Sequence, residues 1–173
     1  MAGHKHAFLM WLVIRRKLLT QDKILQWDFS RRKNMNMICC LLCYANIDSH
    51  DHLFFDCSYS QRVWNSVRSK GGMPNVSSDW SSIIDWMVHR SRSKSASVYI
   101  SRLVLAATTY FIWQERNARL FKNQTRPPEA LCDVILDTVR YKLMGAKLKN
   151  TLRVKELLRA WEIYDTRVFD DGS

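Results

Sequence analysis

The sequence has little of what interrupts or unfolds a chain, with five glycines and three prolines among 173 residues. This excludes collagen-like and low-complexity classes, and an apolar share of 47% excludes general disorder. Long hydrophobic runs are also missing, since the uncharged run from Leu103 to Gln114 has twelve residues, too few to cross a bilayer. The apolar stretch from Ala7 to Ile14 is followed by basic residues, whereas the basic residues of a signal peptide come before its apolar stretch. We therefore expect neither a membrane segment nor a signal peptide.

Negative charge is scarce, with 16 Asp and Glu against 27 Lys and Arg and a formal net charge of +11. Basic residues are concentrated in residues 1–33, with eight against two acidic ones, and in residues 140–159, with seven against one. Residues 34–57 contain no Lys or Arg and three aspartates. Such a balance favours polyanionic partners, although it says nothing about the fold.

Apolar side chains recur at three- and four-residue spacing along most of the chain, which is typical of amphipathic helices. Helices are predicted over His6–Leu19, Thr20–Trp27, around Val63–Val67, around Ile83–Met87, over Val98–Phe121, over Glu129 to about Leu148, and from Asn150 or Thr151 to Tyr164. No strand pattern is present. The predicted fold class is all-α, a helical domain with one irregular loop inserted after the first helices, at residues 34–57.

Glycines and polar linker segments divide the chain into four predicted parts. The glycine pair at residues 71 and 72 closes the first part, residues 1–72, which contains the irregular loop. Residues 73–97 are a predicted connector with one short helix, ending in a basic, serine-rich linker. Residues 98–165 form a helical C-terminal region, and residues 166–173 a flexible tail.

The irregular loop contains one set of candidate metal ligands, Cys40, Cys43, His52 and Cys57, with the spacing C-x2-C-x8-H-x4-C. Structural zinc sites use four Cys or His ligands in a tetrahedron, and a closed set of four leaves no position for a reacting water. We therefore predict one structural Zn²⁺ held by these four residues, a CCHC set, and no catalytic residues.

Alternatives stay open at two of these ligands. Cys39 could replace Cys40, with a less common C-x3-C turn, and His50 could replace His52, with a longer spacing to the last cysteine. The cysteines could also be buried thiols without a metal, since free cysteine is among the most buried residues. We expect Cys132, far along the chain, to be a core residue. An odd cysteine count also indicates a reducing, intracellular compartment, the nucleus included.

Several motifs together resemble a known family. They are Lys5-His6-Ala7-Phe8-Leu9-Met10-Trp11, Leu18-Leu19-Thr20-Gln21-Asp22, Trp27, Cys40-Leu-Leu-Cys43, the run from Asp48 to Cys57, Val63-Trp64 and, more loosely, Trp113-Gln-Glu-Arg116-Asn117-Ala-Arg119-Leu-Phe121. This pattern is similar to the plant reverse-transcriptase zinc-binding domain of non-LTR, LINE-like retrotransposon polyproteins and of genes derived from them. The resemblance assigns residues 1–72 to such a domain.

The resemblance implies an accessory module without polymerase or RNase H activity, so we expect that the protein is not an enzyme. Leu41 stands where the family usually has proline, and Asp48 where it more often has glutamate. The family domain usually begins upstream of Lys5, which predicts a copy truncated at its start. No paired aspartates on a hairpin are present, since Asp170 and Asp171 lie in a polar tail.

The charge pattern suggests how such a module would act. Because Lys and Arg release counterions from phosphates, basic residues beside the loop are the predicted contacts with RNA or DNA, without sequence specificity. They are Arg15, Arg16, Lys17, Arg31, Arg32 and Lys33. Tyr44, Phe54 and Phe55 could stack on bases, although packing under the metal is the favoured role of the two phenylalanines. The alternative function is a protein-interaction or scaffold module, docking on other polyprotein parts, or an inactive domesticated remnant.

Overall fold

A computed structural model describes residues 2–27, 39–164 and 169 of the chain. Its α-helices are α1 (Ala2–Ile14), α2 (Gln21–Trp27), α3 (Ser58–Val67), α4 (Trp80–His89), α5 (Ala96–Lys122), α6 (Pro128–Met144) and α7 (Leu152–Ala160). A π-helical segment, His52–Asp56, precedes α3. In the part of the chain that the structure describes, extended pairing is limited to two isolated bridges, Cys39 with Ile47 and Leu148 with Phe169. The predicted all-α fold class is confirmed.

Helix α5 is the central element, and α1, α3, α6 and α7 all contact it. The hydroxyl of Ser95 accepts a hydrogen bond from the Val98 amide at its start, and Asn123, in the left-handed conformation, follows its last residue. By length and composition alone α5 could cross a membrane, but half of its most apolar window is buried inside the protein. It thus has the burial of a core helix surrounded by other helices.

One continuous cluster of buried apolar side chains holds these helices together. It includes Val63 of α3, Ile83 of α4, Ile112 of α5, Ile135 of α6 and Leu158 of α7, all almost completely buried. The predicted parts of the chain therefore pack against one another. Their boundaries at residues 72, 97 and 165 stay predictions.

Helix α1 is shorter than the predicted His6–Leu19 because its end is a backbone turn. The Arg16 amide bonds to the Val13 carbonyl and the Lys17 amide to the Leu12 carbonyl, and Arg16 has a φ of 52°. This is the Schellman arrangement that stops a helix and satisfies its last carbonyls. Leu18, just after the turn, is buried, so the chain turns back toward the core.

Histidine 6 anchors α1 to the core and gives the fold a pH dependence. Its ring lies 4.2 Å from the Tyr110 ring, and the Lys142 ammonium donates to its Nδ1. Burial and the Lys142 charge lower the pKa of His6 from 6.5 to about 4. Since the unfolded chain takes up the proton first, stability is expected to fall as the pH drops from 6.5 to 4.

The melting temperature of wild type and His6→Phe across this pH range tests that expectation. The variant has no group to titrate there, so its melting temperature should fall less steeply with acidification. Zinc release at low pH acts on both proteins and cancels in the comparison. Equal slopes would contradict the role of His6.

Candidate zinc site

The first two clustered cysteines lie in a tight turn closed by the Cys39–Ile47 bridge. The Cys40 amide donates to the Asn46 carbonyl, and the Tyr44 amide donates to the Cys40 carbonyl at 2.7 Å. Tyr44 adopts a φ of 58°, which lets the chain reverse directly after Cys43. The turn therefore brings two thiols, separated by two residues, to one place.

The other two clustered side chains lie at the two ends of the π-helical segment. His52 begins the segment and Cys57 follows it, and the Cys57 amide donates to the His52 carbonyl at 2.7 Å. Between them, Leu53 and Phe54 are buried, in line with the packing role expected for this run. The side chain of Phe55 lies outside the described residues.

Four ligand atoms, one each from Cys40, Cys43, His52 and Cys57, lie within 4.8 Å of one another. The sulfurs of Cys40 and Cys57 are 3.8 Å apart, and the Cys43 sulfur is 3.2 Å from His52 Nε2. A tetrahedral zinc with bonds of about 2.3 Å to sulfur holds two sulfurs about 3.8 Å apart. The donor set and its spacing therefore fit a Zn²⁺ ion.

The surroundings of Cys57 favour a thiolate, the form that binds metals. A hydrogen bond from the Cys40 thiol lowers its pKa to about 5, against the effect of burial, and the amides of Ser60 and Tyr59 act in the same direction. Cys57 is the residue immediately before α3, so the partial positive charge at the start of that helix lies beside its sulfur.

The alternative ligands lie outside the cluster. Cys39 is exposed, next to the bridge. His50 is buried elsewhere, where its Nε2 donates to the Val13 carbonyl at 2.8 Å and its ring packs near Trp80. As expected for a core residue, Cys132 is buried in α6, and burial raises its pKa.

A buried ion pair ties the loop to the central helix. Asp48 Oδ2 accepts from Nε and Nη2 of Arg116, at 3.1 and 2.5 Å, and both side chains are almost fully buried. The backbone amide of Gln21 donates to the same oxygen at 3.3 Å. Residue spacing did not reveal this pair, because its members are 68 residues apart. Both residues do belong to the motifs that resemble the family.

A second arginine of α5 supports the cysteine turn directly. Arg119 Nη1 donates to the carbonyls of Leu41 and Leu42, at 2.9 and 3.1 Å. The buried carboxylate of Glu115, one turn earlier, accepts from Arg119 Nε at 2.9 Å and from the Arg126 amide at 2.8 Å. Arg119 is thus oriented by one contact and binds the loop with others.

The predicted phosphate-binding residues divide into two groups. Arg15, Arg16 and Lys17 are exposed in the turn that ends α1, and Arg16 Nη1 lies 2.9 Å from Asp51 Oδ2. The basic turn, defined as residues 15–17, is therefore in contact with the loop that contains the cluster. Arg31, Arg32 and Lys33 lie outside the described residues.

An all-α fold with a Cys3His cluster after its first helices places the chain among proteins with a zinc-binding module. Residues 1–64 match the family described as zinc-binding in reverse transcriptase. This segment is thus similar to an accessory zinc-binding domain, not a catalytic one, and it contains all four clustered residues. The match covers just over a third of the chain. No curated protein and no solved structure matches.

Proposed function

We propose that the chain is a non-catalytic zinc-binding module, derived from a retrotransposon reverse-transcriptase polyprotein, that binds RNA or DNA without sequence specificity. The observation that carries the proposal is the position of the basic turn, exposed to solvent and joined to the metal loop through Arg16 and Asp51. Arg31, Arg32 and Lys33 belong to the proposed surface on sequence grounds. Reduced thiols fit an intracellular compartment such as the nucleus.

The role proposed for the metal is to fix the shape of the loop. Cys40, Cys43, His52 and Cys57 would hold one Zn²⁺, which supplies a cross-link between the cysteine turn and the start of α3. Three thiolates around one Zn²⁺ give the site a charge of about −1, which repels phosphates. Contacts with a nucleic acid therefore fall to the cations beside the loop.

Within the basic turn, the three cations are not equivalent. Arg16 is partly neutralised by Asp51, whereas no carboxylate of the described chain lies within ion-pair distance of Arg15 or Lys17. The Arg15 guanidinium lies 5.9 Å from the centre of the Trp11 ring, which leaves its charge intact. Arg15 and Lys17 are thus the stronger phosphate ligands of the turn.

The double variant Arg15→Gln/Lys17→Gln tests the proposal. Its affinity for a single-stranded oligonucleotide of about 24 residues is expected to fall roughly tenfold at about 100 mM salt, and the slope of log affinity against log salt to become shallower by about 1.4. Fluorescence anisotropy across about 50 to 200 mM salt measures both. The matched control is Lys70→Gln/Arg159→Gln, which removes the same charge from α7 and from the turn after α3.

A second candidate function, a protein-interaction module, rests on a different observation. Helix α1 exposes Phe8, Trp11 and Ile14, with 62%, 51% and 50% of each surface accessible, at a spacing that places them on one side of the helix. Exposed patches of this kind are typical of surfaces that bind other proteins. Nucleic-acid binding that is insensitive to salt, or no binding at all, would contradict the first proposal and favour this one.

A further inference from the structure

A second basic region lies between the starts of α5 and α7. Side chains from two segments, one between Ser93 and Arg102 and the other between Ala146 and Leu157, line an open cleft of about 700 Å³ there. Cationic side chains that line it include Lys94, Arg102, Lys149 and Arg153. No aspartate or glutamate is among the described residues that line the cleft. The cations along the described part of this concave wall concentrate positive potential within the cleft.

Two helix ends add to this potential. Helix α5 begins after Ser95 and α7 after Thr151, and neither helix has an acidic residue in its first turn. The partial positive charges of both helix starts therefore point toward the cleft without compensation from their own side chains. The hydroxyls of Ser93 and Ser97 line the same wall and are ordinary partners of phosphate oxygens.

One cation of the cleft is held in position by the backbone. Arg102 Nη2 donates to the carbonyls of Arg90 and Ser91, at 3.0 and 2.7 Å. Lys149 and Arg153, on the opposite side, are exposed. A fixed guanidinium facing exposed cations can bind phosphates without first ordering every side chain.

The cleft is separate from the candidate zinc site. Ala96, at the start of α5, precedes Arg116, which binds the metal loop, by twenty residues. At 1.5 Å per residue, about 30 Å of helix separate the two. We propose that the cleft binds backbone phosphates of a nucleic acid, as a second contact with the partner bound by the basic turn. This proposal rests on the proposed nucleic-acid function, and it adds a phosphate-binding site outside the family-matched residues 1–64.

The test compares Lys149→Gln/Arg153→Gln with the control Lys70→Gln/Arg159→Gln and with the basic-turn variant, on the zinc-loaded full chain. The cleft variant is expected to bind the same oligonucleotide roughly tenfold more weakly at about 100 mM salt, with a salt slope shallower by about 1.4. The control should stay within about twofold of wild type, although it loses as much charge. Circular dichroism confirms that each protein is folded.

The basic-turn and cleft variants distinguish a failure of the cleft proposal from a failure of the proposed function. If the basic-turn variant weakens binding and the cleft variant equals the control, the cleft proposal is overturned and the proposed function stands. If only the cleft variant weakens binding, the cleft proposal stands and the basic turn is not the contact. The cleft proposal is also overturned if the cleft variant loses binding to vesicles containing phosphatidylserine but keeps its oligonucleotide affinity, or if wild type binds no oligonucleotide at low salt.

Discussion

Replacing Cys57 with serine is expected to release the zinc ion and to unfold the loop of residues 39–57. Structural zinc contributes roughly 10–16 kcal/mol of apparent binding free energy in zinc-finger peptides, so the loss of one ligand removes a large part of the local stability. Cys57 also stands immediately before α3, so the start of that helix should loosen as well. Metal content by mass spectrometry and cleavage of the loop by a protease measure the two effects.

The matched control is Cys39→Ser, in the same loop. Cys39 is exposed and lies outside the four-residue cluster, so its variant should retain one zinc per chain and the protease resistance of wild type. Retention of zinc by Cys57→Ser, or its loss from Cys39→Ser, would show that the ligand assignment is wrong.

Replacing Asp48 with alanine is expected to lower the free energy of unfolding by about 3–5 kcal/mol, since it leaves the Arg116 guanidinium buried without its counterion. The Gln21 amide also loses its acceptor. Urea unfolding of the zinc-loaded protein measures the change. The double variant Asp48→Leu/Arg116→Met should recover part of the loss, because it removes both buried charges.

The control for this prediction is Asp51→Ala, three residues along the same loop. Its ion pair with Arg16 is exposed, about half of each side chain being accessible, and exposed pairs contribute about 0–1 kcal/mol. The comparison therefore separates burial from charge. An Asp48→Ala protein no less stable than Asp51→Ala would mean that the buried pair does not hold the loop in place.

The helices were predictable because each leaves a local pattern of apolar spacing, and the helix ends were predictable only where a typical terminating residue is present. Thr151, one of the two predicted starts, is the residue before α7, and its hydroxyl accepts from the Val154 amide, but the helix ends at Ala160 and not at the predicted Tyr164. The end of α1 was missed because an arginine, Arg16, occupies the left-handed position, where glycine is usual. Helix α6 ends at Met144, directly before Gly145, and not at about Leu148, because glycine is a typical helix-terminating residue whereas the apolar spacing continues to Leu148.

In the candidate site, the cluster was predictable because its four residues lie within eighteen positions and their spacing reflects local turns. The choice of Cys40 over Cys39 depends on which way a bridge residue faces, and that of His52 over His50 on a contact with Val13 in a distant helix. No short-range pattern contains such information. The contacts of Arg116 and Arg119 with the loop were hidden for the same reason, since chain folding alone brings them there.

The salt bridge between Asp48 and Arg116 has a consequence for dissecting the chain. An excised peptide of residues 1–64 would keep every thiol and imidazole of the cluster, yet it would lack both arginines that grip the loop. In this peptide the Asp48 carboxylate, which is buried beside Arg116 in the full chain, would need water or another cation in place of that arginine. Metal coordination by the peptide would then depend on what replaces α5, so α5 belongs to the smallest part of the chain that can hold the loop as the full protein does.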